Sequence, residues 1–117
     1  MPVTGLSTIL VRVSNMERAL AFYSGLLEQA PISTTESWTS FLLPGGITLG
    51  LHSGGLQHEP GNDNAILGLA ATDLAAIKAR LVALGARIVT DFHEVPGGRL
   101  IAVADPDGNV LQVIERG

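Results

Sequence analysis

From Leu6 to Val13 the stretch "LSTILVRV" alternates, with Ile9, Val11 and Val13 on one side and Leu6, Thr8, Leu10 and Arg12 on the other. This predicts a strand with one wholly apolar side. In "SNMERALAFYSGLLEQ" the period changes: Met16, Ala19, Leu20, Tyr23, Leu26 and Leu27 recur at helical spacing, behind an S-x-x-E capping pattern made by Ser14 and Glu17. Three short strands are predicted next, at "PISTT", "WTSFLL" and "ITLGLHS", the last two joined by a tight "PGG" turn.

The order then starts again. "AILGLAA" predicts a strand, "TDLAAIKARLVALG" a helix stopped by Gly85, and "ARIVT", "GRLIAVA" and "NVLQVIE" three strands. Laying Met16 on Leu74 places Thr8 on Ile66, and laying Pro44 on Pro106 places Gly50 on Gln112, so two half-length units account for the chain. The expected fold is α+β: two tandem βαβββ units within a single domain, residues 1–117. Unit one covers about 5–53, a Gly-, Asn- and Pro-rich linker about 54–63, and unit two about 64–115. One face of each sheet is expected under its own helix, through Ile9, Val11, Val13, Leu49, Leu51, Leu67, Leu69, Leu111 and Val113. The other faces of the curved, mixed sheets, with the helices outside, are expected to enclose a cavity, within the chain or across a dimer.

Composition narrows the function classes. Seven Lys and Arg against eleven Asp and Glu give a net charge of -4 with no run of like charges, so nucleic acid is not an expected partner. The absence of cysteine removes disulfides, thiolate metal sites and a cysteine nucleophile together, and fits a cytoplasmic protein. No export signal and no apolar run of about eighteen residues is present, so no membrane association is expected. No P-loop, dinucleotide fingerprint or Ser-His-Asp order follows a strand; "PGGITLG" has glycines but no lysine.

"VRVSNMERALAFYSGLL" and "PGGRLIAVADPDGNVLQVIE" closely resemble the glyoxalase, bleomycin-resistance and extradiol-dioxygenase family, the vicinal oxygen chelate superfamily, over nearly the whole chain. The resemblance implies βαβββ units, a homodimer, and in the family's enzymes one divalent metal held by His, Glu or Gln from the first and last strands of each unit. Carried over, those positions are Thr8, Gly50, Ile66 and Gln112, of which only Gln112 is a plausible ligand. A catalytic divalent ion needs about three N or O ligands, so the expectation is no cofactor. If a metal is present, His52, two residues beyond Gly50, would join Gln112.

The preferred expectation is a protein that binds or sequesters a small organic ligand, similar to the family's drug-sequestering branch. Its pocket would be lined by Thr8, Leu10, Arg12, Trp38, Thr48, His52, Ile101 and Gln112, with apolar walls giving affinity and Arg12, His52 and Gln112 fixing orientation. Trp38 offers a flat wall, though tryptophan also serves cores and dimers; Arg12 suits a carboxylate or phosphate, and equally solvent. A metal-dependent glyoxalase-like lyase or isomerase, or a dioxygenase, is the alternative, and a non-catalytic interaction module a third. His58 and Glu59 are expected in a surface loop, His93 and Glu94 in an exposed turn, and "DPDG" as a structural turn.

Overall fold

A computed structural model describes residues 6–53 and 66–116. The chain divides into two compact units, Met1–Pro60 and Gly61–Gly117. The expected linker, with His58 and Glu59, lies outside the described residues. In the first unit, β1 (Thr8–Arg12), α1 (Met16–Leu27), β2 (Ser33–Thr34), β3 (Trp38–Leu42) and β4 (Thr48–His52) follow in order. The second repeats this with β5 (Leu67–Ala71), α2 (Leu74–Ala83), β6 (Arg87–Val95), β7 (Gly98–Ala104) and β8 (Val110–Arg116). The tandem βαβββ expectation is met: the sheets run β1-β4-β3-β2 and β5-β8-β7-β6. In each, the first and last strands are parallel and the other pairs antiparallel.

The parallel pair follows from the connection: a strand, a crossover helix and a return to the same sheet. Both helices are short, so burial of one apolar stripe against the sheet, more than intrinsic propensity, holds them. In unit 1 Ala19, Phe22, Tyr23 and Leu26 of α1 are buried, as are Val13, Phe41, Leu49 and Leu51 of the sheet side. Phe22 meets Tyr23 edge to face, ring centroids 5.0 Å apart. Thr39 is buried there too, its hydroxyl engaged by Thr34 Oγ1 at 2.8 Å and donating to Met16 Sδ at 3.2 Å. The cap of α1 differs from the expected one. Asn15, not Ser14, occupies the N-cap, accepting from the Arg18 N–H at 2.9 Å, because an Asn carboxamide reaches the third amide as readily as a Ser hydroxyl does.

In unit 2 Leu74 and Leu81 of α2 bury against a sheet face that includes Ile101, Val103, Leu111 and Val113. The Ala76 N–H donates to Asp73 at the N-cap. Gly85 ends α2 as expected, at φ +71°, with its own N–H on Val82 and that of Ala86 on Leu81, the paired bonds of a Schellman stop. Strand β6 runs on to Val95, so His93 and Glu94 belong to a strand, paired with Leu100 and Arg99, and not to the expected turn. Two register shifts, between Ile88 and Thr90 and between Thr90 and His93, break the alternation that would have marked this strand. Gly98 after the turn admits no side chain, since a Cβ there would collide with the Glu115 carbonyl. Among the described residues no helix is long and apolar enough to cross a membrane.

Glu115 ties β8 to α2, accepting from the Leu74 N–H at 2.8 Å and from Arg99 Nε at 3.2 Å. The Leu74 amide chiefly, and Arg99 with it, hold its carboxyl below the ordinary value of 4.5 against the opposing effect of desolvation. A carboxyl depressed in the folded state stabilises fully above its unfolded pKa, and this is lost as pH falls through the folded value. Urea unfolding at a series of pH values is therefore expected to show Glu115→Gln less stable than the parent near neutrality. The gap should close as the pH falls below about 4.5. A gap that stays constant down to pH ~3 would rule this linkage out.

Candidate ligand-binding face

Cross-strand partners share a face, so the registers sort every side chain of the first sheet. Thr39, Phe41, Leu49 and Leu51 lie on the side covered by α1. The uncovered face consists of three rows: Thr8, Thr48 and Leu42; Leu10, Gly50 and Ser40; Arg12, His52 and Trp38. Six of the expected site residues, Thr8, Leu10, Arg12, Trp38, Thr48 and His52, are thus brought onto one face of one unit.

The middle row explains why its central residue is glycine. A Cβ on Gly50 would run into the six-membered ring of Trp38, so the missing side chain is what lets the indole lie against β4. The same ring meets His52 edge-on, with centroids 6.2 Å apart and planes at 67°. His52 Nδ1 is shielded from solvent and has no hydrogen-bond partner among the described residues. Ser40 bonds Ser33 through their hydroxyls at 2.8 Å. The Trp38–Gly50 contact was not anticipated, yet counting outward from the Pro44–Gly46 turn pairs Ser40 with Gly50 and Trp38 with His52.

In the second sheet Gln112 lies between Gly68 and Ala102, on the face away from α2. Ile101 does not share that face. It pairs with Val113, is 0% exposed and belongs to the helix-covered core, so its place beside Gln112 goes to Ala102 and Leu100. "GRLIAVA" is apolar on both sides, and nothing in its pattern says which side is which. The "DPDG" turn is closed on itself: Asp105 accepts from the Asp107 and Asn109 N–H groups through Oδ1, each at 2.9 Å, and from Asn109 Nδ2 through Oδ2 at 2.8 Å. Its carboxylate is a turn anchor. His93 is exposed and pairs with Leu100.

The four positions implied for a metal offer a hydroxyl (Thr8), no side chain (Gly50), an alkyl group (Ile66, 54% exposed) and one amide (Gln112). The space a ligand from Gly50 would need holds the Trp38 ring. Among the described residues no three His, Cys, Asp or Glu side chains converge. This donor set does not fit a divalent ion that needs about three N or O ligands.

A family model described as Glyoxalase/Bleomycin resistance protein/Dioxygenase superfamily matches residues 5–113. No curated protein is significantly similar to the chain. Among solved structures, TnmS3, an antibiotic binding protein from Streptomyces sp. CB03234, is 25% identical, with 100% of this chain and 99% of that one covered and a TM-score of 0.83. A glyoxalase-related enzyme from Fulvimarina pelagi is 18% identical, covering 97% and 89%, with a TM-score of 0.84. The fosfomycin resistance protein FosX from Listeria monocytogenes, complexed with Mn(II) and a dihydroxypropylphosphonic acid, is 22% identical, covering 98% and 92%, with a TM-score of 0.78. The last two likenesses are of fold.

Trp38 is the single tryptophan, so its emission reports on this face alone. Gly50→Ala is expected to push the indole off β4 and shift its emission maximum. Because a ring at the end of a side chain can move, the fold should survive at a cost of about 1–3 kcal/mol, measured by denaturant unfolding. An unshifted spectrum would mean the indole does not rest on Gly50.

Proposed function

Because the chain belongs to the Glyoxalase/Bleomycin resistance protein/Dioxygenase superfamily, we propose that it is a small-molecule-binding member that holds an organic ligand without the family's divalent metal. The observation that carries this is the Trp38 ring resting on Gly50: at a position where the family's enzymes bring a metal ligand, this chain brings an aromatic platform. Thr8, Leu10, Arg12, Trp38, Thr48 and His52 supply the binding face in unit 1, and Gln112 offers an amide on the uncovered face of unit 2. Apolar surface gives affinity there, and a few polar atoms set orientation. The likeness to TnmS3, an antibiotic binding protein, supports the same reading.

No chemical step is required, since retention of the ligand is the function. Protein purified without chelator is expected to carry no stoichiometric metal, and Ni, Zn, Mn or Fe should leave its melting temperature unchanged. Anilinonaphthalene sulfonate, an aromatic probe, should saturably perturb Trp38 emission. Stoichiometric metal with a large stabilisation would favour the metal-dependent lyase, isomerase or dioxygenase reading instead, and an inert Trp38 would favour an interaction module.

The proposal extends to a homodimer. On the uncovered face of unit 1 Leu10 is 42% and Leu42 49% exposed, and such apolar area gives self-association a driving force. Sedimentation should return twice the chain mass of 12.2 kDa; a monomer at micromolar concentration would count against it.

A further inference from the structure

On the uncovered face of unit 2, Gln112 is flanked across the sheet by Gly68 on β5 and Ala102 on β7, and along β8 by Val110 and Ile114. Ala70 and Leu100 stand diagonally to it, on either side of Ile114. None of these six neighbours has a polar side-chain atom, so the Gln112 amide is set in an apolar surround. Directly opposite strand neighbours lie about 5 Å away, and the two beside Gln112 rise no higher than a methyl group, so neither covers it. Gln112 is half-buried, and among the described residues its carboxamide makes no hydrogen bond. Gln29 is different: its amide donates to the Leu42 carbonyl at 3.1 Å.

The glycines of the two uncovered faces differ in what lies above them. A Cβ on Gly50 would strike the Trp38 ring, whereas one on Gly68 would meet only Ile114 Cδ1, at 4.0 Å, an ordinary contact. Gly68 and Ala70 are both exposed. Strand β5 thus offers a shallow, open floor beside the amide, where a flat ring can rest close to the backbone with its edge toward β8. A carboxamide carries an acceptor and a donor side by side. A ligand that covers Gln112 has to meet both, because a polar group buried without a partner is costly. A charged ligand group would find no opposite charge among the six neighbours, which favours a neutral one.

We infer that Gln112, with the floor made by Gly68 and Ala70, forms a subsite for a flat, uncharged ring carrying a lactam edge. The ligand N–H donates to Gln112 Oε1, and its adjacent carbonyl accepts from Gln112 Nε2. Two parallel bonds of opposite direction distinguish a lactam from a lactone of the same shape, which makes Gln112 a specificity-determining residue. The inference rests on the reading that the uncovered faces bind an organic ligand, and it names the class of that ligand.

Calorimetric titration of the full chain with 2-quinolinone and coumarin tests it, two bicycles of one shape in which a ring oxygen replaces the lactam N–H. Quinolinone is expected to bind at least about ten-fold more tightly, because coumarin leaves Gln112 Oε1 facing an oxygen. Gln112→Leu should bring the two within about two-fold of each other. Gln112→Glu should weaken quinolinone about ten-fold and favour 2-aminoquinoline instead, whose cation presents two N–H donors to the carboxylate, a gain that a loss of folding cannot imitate. Gly68→Val, which fills the floor, should weaken quinolinone and coumarin alike by about ten-fold. Equal affinity for the two probes, a preference that survives in Gln112→Leu, or a Gly68→Val chain that binds both as the parent does would overturn the subsite. So would a sedimentation mass halved by Gln112→Leu with the preference unchanged, which would assign the amide to a contact between copies. If neither bicycle binds while anilinonaphthalene sulfonate still perturbs Trp38, the lactam class is wrong and the binding function stands. If neither bicycle binds and Trp38 is also unperturbed, the binding function itself fails.

Discussion

A four-stranded sheet that carries one helix can bury only one of its faces against that helix. Every other feature of these units follows from that limit. The period of two places Ile9, Val11, Leu49 and Leu51 toward α1, and Leu67, Leu69, Leu111 and Val113 toward α2. It sends the intervening residues to the opposite face by necessity. That second face is where Arg12, Trp38, His52 and Gln112 lie. The helices are thus structural partners, and the candidate site residues alternate with the core.

Much of this was legible in the chain. The repeat, both helices, the Gly85 stop and the covered faces follow from period and spacing, because apolar burial leaves a periodic trace. What was not legible depends on register. The bulges in β6 erase its alternation, so His93 and Glu94 pass for a turn. Ile101 sits in a strand apolar on both faces, where a slip of one residue goes unmarked and exchanges core for open surface. The contact between Trp38 and Gly50 is a pairing across a hairpin, visible only once the turn is known to centre on Gly45. The Asn15 cap escaped because Ser14 satisfies the same pattern one residue earlier.

The site is also shaped by what its residues exclude. A glycine at position 50 supplies no donor and at the same time creates a bed for an indole, so one residue contributes both to the poor metal set, with Thr8 and Ile66, and to the flat surface. The "DPDG" turn works in the opposite sense. Its carboxylate has spent both oxygens on Asp107 and Asn109, which leaves it committed to shaping the β7–β8 hairpin.

The two units place one glycine in the same row, but on different strands. In the first sheet Leu10 faces Gly50, with the glycine on the fourth strand; in the second Gly68 faces Gln112, with the glycine on the first. The duplicated backbone therefore behaves as two separate canvases. One copy uses its vacated position to seat an aromatic ring borrowed from β3, and the other keeps its position filled with an amide. The rows belong to different hydrogen-bonded sheets, so each copy presents its own surface chemistry on the same strand order.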